Sequence, residues 1–300
     1  MELRQLRYFL AVAEEQHFGH AAERLQIAQS GLSQQIKTLE RSLKTQLFVR
    51  DRRRVELTAA GKYLVEEARS LLARARRVEE TLPLIDQGKG GLLKVATSSA
   101  GLHPIAGDLI DRFRERFPDV ELHVVPGSEP QNLAALQHRC VDLAFMSVPF
   151  EPMEGLSLLP TGTLELMIAL SERHRLASKE RISRSELLAE PFLTLPRTFN
   201  PMLMDHIHRS LFGDRAHPSL IEMPDLNEAT RLARLARSEG MVGLGLPAEA
   251  DLRIPGLAHR RVEDPVPVVD YGLAWFDEHA SPFAATFIDS VRDALRIGQA

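Results

Sequence analysis

The 300-residue sequence predicts an α+β protein of several parts: a small helical unit with a hairpin, one long helix, and a C-terminal α/β unit. Three observations predict it. Apolar residues recur at helical spacing to about residue 43, then at heptad spacing as far as residue 85. Gly88-Lys89-Gly90-Gly91 breaks the pattern with four flexible or polar positions. From Leu92 onward, short strand-like apolar runs alternate with helical ones, as α/β architectures require. The expected bounds are 1–58, 59–91 and 92–300.

In the first part, Leu3, Leu6, Phe9, Leu10 and Ala13 share one face of a first helix, and Phe18, Ala21, Ala22 and Leu25 one face of a second. A turn at Gln26–Gln29 follows. Leu32, Ile36, Leu39 and Leu43 then form the apolar stripe of a third helix. This third helix also carries Gln29, Ser30, Ser33, Gln34, Gln35 and Lys37. Such side chains donate and accept hydrogen bonds, as base edges in a major groove demand, so the pattern fits a helix-turn-helix. Periodicity alone slightly favours a plain three-helix bundle with a hydrated face.

The next residues favour the first reading. Leu47–Arg50 and Val55–Leu57 read as two strands around the basic tip Asp51-Arg52-Arg53-Arg54. A hairpin in that place is a wing, and Arg50, Arg52, Arg53 and Arg54 suit phosphates or a minor groove. Charge agrees. The chain's net charge is −4, yet residues 24–62 hold 9 Lys+Arg against 3 Asp+Glu. A basic segment on an acidic chain points to a polyanionic partner.

Thr58 is a suitable N-cap for the long helix, although Gly61 stands where a capping box would have Glu. Leu64, Ala68, Leu71, Ala75, Val78, Leu82 and Ile85 follow at alternating spacings of 4 and 3, the seam of a coiled coil between two chains. Pro83 is expected to end or kink this helix near Leu82.

The stretches Met1–Phe9, Phe18–Leu25, Gln29–Ile36, Leu39-Glu40, Leu47–Arg50 and Leu57–Gly61 resemble LysR-type transcriptional regulators. The resemblance implies a winged helix-turn-helix that binds a double-stranded DNA operator and a homodimer or homotetramer. It also implies an effector domain similar to periplasmic solute-binding proteins, with subdomain I at 92–163 and 268–300 and subdomain II at 164–267. Its partners would be a small-molecule effector, a carboxylate or aromatic acid among the candidates, and RNA polymerase. Ser30, Gln34 and Ala59 depart from the family's usual Pro, Arg and Glu, so base preference is not carried over from relatives.

In the C-terminal part, strands are expected at Leu92–Thr97, Val120–Val125, Val141–Ser147, Leu164–Leu170, Phe192–Leu195, Ser219–Met223, Met241–Leu246 and Val268–Phe276. Helices are expected between them and at Ala284–Ile297, giving a parallel sheet covered on both faces. Ser183-Arg184-Ser185-Glu186 is a capping box before a short helix. Ligands bind beyond the carboxyl ends of such strands. The candidates there are Thr97, Ser98, Ser99, Ser128, Phe145, Ser147, Arg197, Thr198 and Gly243. The hydroxyls at 97–99 suit an anion, or equally plain helix capping, and Arg197 suits a carboxylate or a surface ion pair.

Several classes are excluded. The single cysteine, Cys140, leaves no internal disulfide framework or cysteine-rich zinc site, and is expected to be a small buried apolar residue. No phosphate loop, dinucleotide fingerprint or nucleophile elbow is present, so neither an enzyme nor a cofactor or metal site is expected. An architectural DNA-binding protein would not need the long α/β part. No leader and no apolar run of ~18 residues is visible, so the chain is expected in the cytoplasm, away from membranes.

Overall fold

The computed structural model describes residues 1–51, 54–97, 104–150, 152–213, 218–223, 228–279 and 281–297. The chain divides into two compact units, one formed mainly by Met1–Gly91 and the other by Leu92–Leu136 with Val141–Ala300.

The first unit runs α1 (Leu3–Glu15), α2 (Phe18–Arg24), α3 (Gln29–Leu43), the hairpin β1 (Phe48–Asp51) and β2 (Arg54–Leu57), then α4 (Ala59–Asp86). Leu6, Phe9 and Val12 of α1 meet Leu32, Ile36 and Leu39 of α3 in one buried core. The Phe48 ring sits 5.3 Å from Phe9 and 5.9 Å from Phe18, which ties the hairpin to the helices. Glu40 holds the hairpin from the other side: its Oε1 accepts the Leu47 and Phe48 N–H groups at 2.9 and 3.3 Å. A carboxylate on two backbone donors is a strong, directional anchor.

Thr58 caps α4 by accepting the Gly61 N–H at 2.9 Å. Glycine at 61 has a packing cause: a Cβ there would lie 2.2 Å from the Leu47 carbonyl oxygen. Gly61→Ala is expected to lower the stability of this unit by about 1–3 kcal/mol, because backbone must move to admit the methyl group. Thermal unfolding of the full chain checks this; an unchanged melting temperature would contradict it.

Two expectations for α4 are corrected. The helix does not end at Leu82 but continues past Pro83 to Asp86. Its terminus is set instead by Gly88 at φ +79°, with Lys89 N–H bonding Leu84 O at 2.9 Å and Gly88 N–H bonding Ile85 O at 3.0 Å. This left-handed glycine closes the last carbonyls; Pro83 cannot donate to the Glu79 carbonyl one turn back, and the helix runs only three residues beyond it. The seven-residue seam is also divided. Leu64 and Ala68 are buried in the first unit's own core, whereas Leu71, Val78, Leu82 and Ile85 are exposed.

The second unit continues with β3 (Gly91–Thr97), α5 (Pro104–Arg116), β4 (Val120–Pro126), α6 (Glu129–Gln137), β5 (Leu143–Val148), β6 (Leu156–Glu165) and β7 (Met167–Ser171). Then come β8 (Arg181–Ile182), α7 (Arg184–Leu188), β9 (Phe192–Thr194), α8 (Pro201–Phe212), β10 (Leu220–Glu222), α9 (Glu228–Arg237) and β11 (Val242–Gly245). It ends with α10 (Pro247–Asp251), β12 (Leu257–Val262), β13 (Val268–Phe276) and α11 (Pro282–Ile297). Among the described residues the strands form two sheets, ordered β4-β3-β5-β13-β6 and β10-β9-β11-β7-β12-β8. The Ser183–Glu186 capping box forms as expected, with Glu186 N–H on Ser183 Oγ at 3.3 Å and Ser183 N–H on Glu186 Oε2 at 3.2 Å.

The sheets are mixed rather than parallel. β3 and β5 are parallel, but β13 returns between β5 and β6 and pairs antiparallel with both. β7 likewise runs against β11 and β12. The sequence hides β6 because Pro160 interrupts its pattern, and a proline is tolerated there since β6 is an edge strand. The two chain crossings between the sheets lie side by side, where Leu166 N–H bonds Pro267 O at 2.7 Å. Cys140 is exposed, not buried, and follows Arg139, whose φ of 58° turns the chain between α6 and β5.

Candidate functional site

Two surfaces carry candidate chemistry. The first is the outer side of α3. Leu32, Ile36 and Leu39 bury one side of this helix, which leaves Gln29, Ser30, Gln34 and Lys37 exposed and Ser33 half-buried. Gln35 departs from the expected set. It is half-buried, and its Oε1 accepts Gln5 Nε2 of α1 at 3.3 Å, so it braces two helices. In the hairpin, Arg50 pairs with Val55 and Arg54 with Asp51 in register. Arg52 and Arg53 lie outside the described residues.

The second is a cavity of about 160 Å³ in the second unit. One wall comes from the first sheet and α6: Ser128, Glu129, Ser147 and Tyr271. The other comes from the second sheet and its helices, with Thr194 and Arg231 among apolar side chains such as Phe192, Leu203 and Ile207. The cavity therefore sits beside the paired crossings, with Leu166 in its lining.

Each polar group is held by its own fold. Glu129 opens α6, where the helix dipole favours a carboxylate. Its Oε1 accepts both the Ser147 N–H and the Ser147 Oγ–H, at 3.1 and 2.9 Å. Ser147 and Tyr271 are register partners on β5 and β13, and the β13 register shifts between Tyr271 and Gly272. Burial pushes the Tyr271 phenol up to about 12, against a hydrogen bond with Ser147 and with the Glu129 charge adding to the rise. Tyr271 thus stays a neutral hydroxyl throughout the physiological range. Thr194 Oγ1 and His208 Nε2 share a hydrogen bond of 3.1 Å.

Arg231 reaches the cavity from α9 and is itself buried. Its guanidinium donates to Glu249 Oε1 and to the Leu244 carbonyl. Glu249 is 1% exposed, and its Oε2 also accepts the Leu246 N–H at 3.1 Å and faces His259 Nε2 at 3.4 Å. Burial raises the Glu249 carboxyl, but the facing His259 imidazole and the Arg231 charge outweigh it and hold the group below the usual carboxylate range.

Of the residues expected at the ligand site, Ser128 and Ser147 line this cavity. The others described do not. Phe145 is buried in the core between the first sheet and α5 and α11; it shares its face of β5 with Ser147, two residues on, but only Ser147, nearer the end of the strand, lines the cavity. Arg197 lies in a short turn and makes two 2.7 Å hydrogen bonds to Asp205 on α8, outside the cavity. Thr198 beside it is exposed. Gly243 is a packing position: a Cβ would meet Leu235 at 3.0 Å and the Leu193 carbonyl at 3.2 Å. Thr97 ends β3 with its carbonyl accepting Gly127 N–H at 3.0 Å and is not part of the lining. Ser98 and Ser99 lie outside the described residues. Glu129, Thr194, Arg231 and Tyr271 were not foreseen. Glu129 had a local signal, since it opens a helix directly after a strand and Gly127-Ser128.

The comparisons with known proteins agree with this architecture. The family model described as "Bacterial regulatory helix-turn-helix protein, lysR family" matches residues 3–62, and "LysR substrate binding domain" matches residues 86–296. The chain belongs to the LysR family of transcriptional regulators, with a DNA-binding helix-turn-helix and a substrate-binding domain. The HTH-type transcriptional regulator XapR of Escherichia coli (strain K12) is 32% identical over 283 residues, 94% of each chain. The HTH-type transcriptional regulator TfdT of Cupriavidus pinatubonensis is 36% identical over 220 residues, 72% of this chain and 93% of that one. The fold is also that of CbnR, a LysR family transcriptional regulator, at a TM-score of 0.74 and 23% identity over 98% of this chain and 99% of that one.

Proposed function

We propose that this chain represses or activates transcription by reading a two-fold operator through α3 and changes its hold on that DNA when a small molecule fills the 160 Å³ cavity. The observation that carries the reading is the cavity's place: its walls come from two sheets between which the chain crosses beside Leu166 and Pro267. A ligand there contacts both sheets at once, so it favours one arrangement of them over another, which is what an effector must do.

Gln29, Ser30, Ser33, Gln34 and Lys37 are the proposed base- and phosphate-contacting residues, and Arg50, Arg52, Arg53 and Arg54 the proposed phosphate contacts of the wing. The exposed stripe of Leu71, Val78, Leu82 and Ile85, with Ala75 between, is proposed to meet the same stripe of a second copy. The heptad spacing supports that occupant. The chain is read as a regulator, not an enzyme, since its relatives are named as regulators. Among the described residues no helix is long and apolar enough to cross a membrane, and a cytoplasmic place beside DNA and RNA polymerase fits this role.

Changing Arg52, Arg53 and Arg54 together to Ala is expected to weaken binding to every DNA sequence and to flatten its salt dependence by about one log unit per lost phosphate contact. Ser33→Ala is expected to relax base preference while leaving the salt slope alone. Anisotropy titrations of labelled DNA at several salt concentrations separate the two. A triple variant with the parental salt slope would contradict the wing assignment.

A further inference from the structure

We propose that the cavity takes a molecule about one ring in size whose polar end is a hydrogen-bond donor, a hydroxyl or an ammonium, directed at Glu129, and that it excludes carboxylates. This rests on the reading of the cavity as the ligand site.

Size comes first. An apolar cavity of about 150 Å³ holds one benzene, and this one measures about 160 Å³. Most of its lining is apolar, so most of the ligand must be too.

Charge decides the polar end. Among the described lining residues the charged side chains are Glu129 and Arg231. Arg231 is the natural anchor for a ligand carboxylate, but its guanidinium is already directed at Glu249 and at the Leu244 carbonyl. Drawing it away would leave Glu249, 1% exposed, without its strongest counter-charge, and a buried carboxylate in that state is costly. Arg197, the other candidate for binding an acid, is spent on Asp205 outside the cavity. At the opposite wall a ligand carboxylate would meet the Glu129 carboxyl, and two like charges in a poorly solvated space repel. A hydroxyl or ammonium meets no such penalty. Glu129 is pre-positioned to accept from it, because Ser147 fixes Oε1 through two hydrogen bonds. The neighbouring Tyr271 hydroxyl, neutral at physiological pH, can serve the same polar end.

The test is calorimetric titration of the full chain with matched probes that differ at the polar end: benzyl alcohol, benzylamine and benzoate, and the cyclohexyl analogue of each. The alcohol or amine is expected to bind at least about tenfold more tightly than the carboxylate of the same ring. Glu129→Gln, which keeps an acceptor for Ser147 but removes the charge, is expected to narrow that gap for the amine and to admit the carboxylate. Carboxylate binding as tight as that of the alcohol and amine would overturn the inference while leaving the cavity as a ligand site. Binding of none of the six probes would overturn both, and an unchanged ranking in Glu129→Gln would remove Glu129 from the selection.

Discussion

Glu249→Ala is expected to destabilise the second unit by about 3–5 kcal/mol, since it leaves the Arg231 guanidinium buried without its carboxylate. Arg231 is 8% exposed and Glu249 1%, so neither charge can turn to solvent without disturbing the floor of the cavity. The change also removes the acceptor of the Leu246 N–H, at 3.1 Å, at the start of α10. Denaturant unfolding of the full chain measures the loss. Adding Arg231→Met to the same variant is expected to restore much of it, because the stranded charge is then gone. A double variant as unstable as the single one would show that the pair is not the cause. The linkage to pH has a definite sign. The folded Glu249 carboxyl titrates below its unfolded value, so its stabilisation is complete above the ordinary carboxylate range and disappears as pH falls through the lower folded value. Glu249→Ala should therefore lose its disadvantage in strong acid.

The second large effect concerns assembly. Val78→Asp with Leu82→Asp places charges on two side chains that are 57% and 60% exposed in the single chain. Their exposure means that the substitution barely touches the fold of one copy, yet across a coiled-coil seam it buries two aspartates per chain against their own images. A monomer at micromolar concentration is expected in analytical ultracentrifugation. Operator affinity should fall by about a thousandfold, toward the non-specific range, because one reading head then acts without its twin. A variant that stayed dimeric would place the dominant contact on another surface. Leu64→Asp is a poorer test, since Leu64 belongs to the core of its own copy and the variant would unfold.

That contrast shows how the sequence could be read and where it could not. The N-terminal unit was legible because its signals are local: each helix stripe, the Thr58 cap and the basic hairpin lie within a few residues of one another. The heptad seam was legible as a pattern but not in its partners. Leu64 and Ala68 satisfy the same spacing as Val78 and Leu82 while packing on α1, and spacing does not say which chain fills the other side. Gln35 was misplaced for a related reason, since a glutamine faces DNA or a neighbouring helix with the same chemistry. In the second unit the strand positions were mostly legible, but their directions were not. β13 returns from a distance of more than a hundred residues to pair with β5, and no local signal records that. The cavity was the least legible feature. Glu129, Ser147, Tyr271 and Arg231 come from four separate elements and are joined only by that topology. Arg197 attracted notice as a cation after a strand, yet its partner Asp205 stands just eight residues on.

Protection mapping of the DNA immediately upstream of the gene for this chain, with the full-length protein, bears most directly on the central claim of an operator-reading regulator. Two protected half-sites of related sequence are expected, with centres one or more helical turns apart on one face of the duplex. The seam variant should lose both together. Protection of a single half-site, or equal coverage of unrelated DNA at the same concentration, would contradict the account.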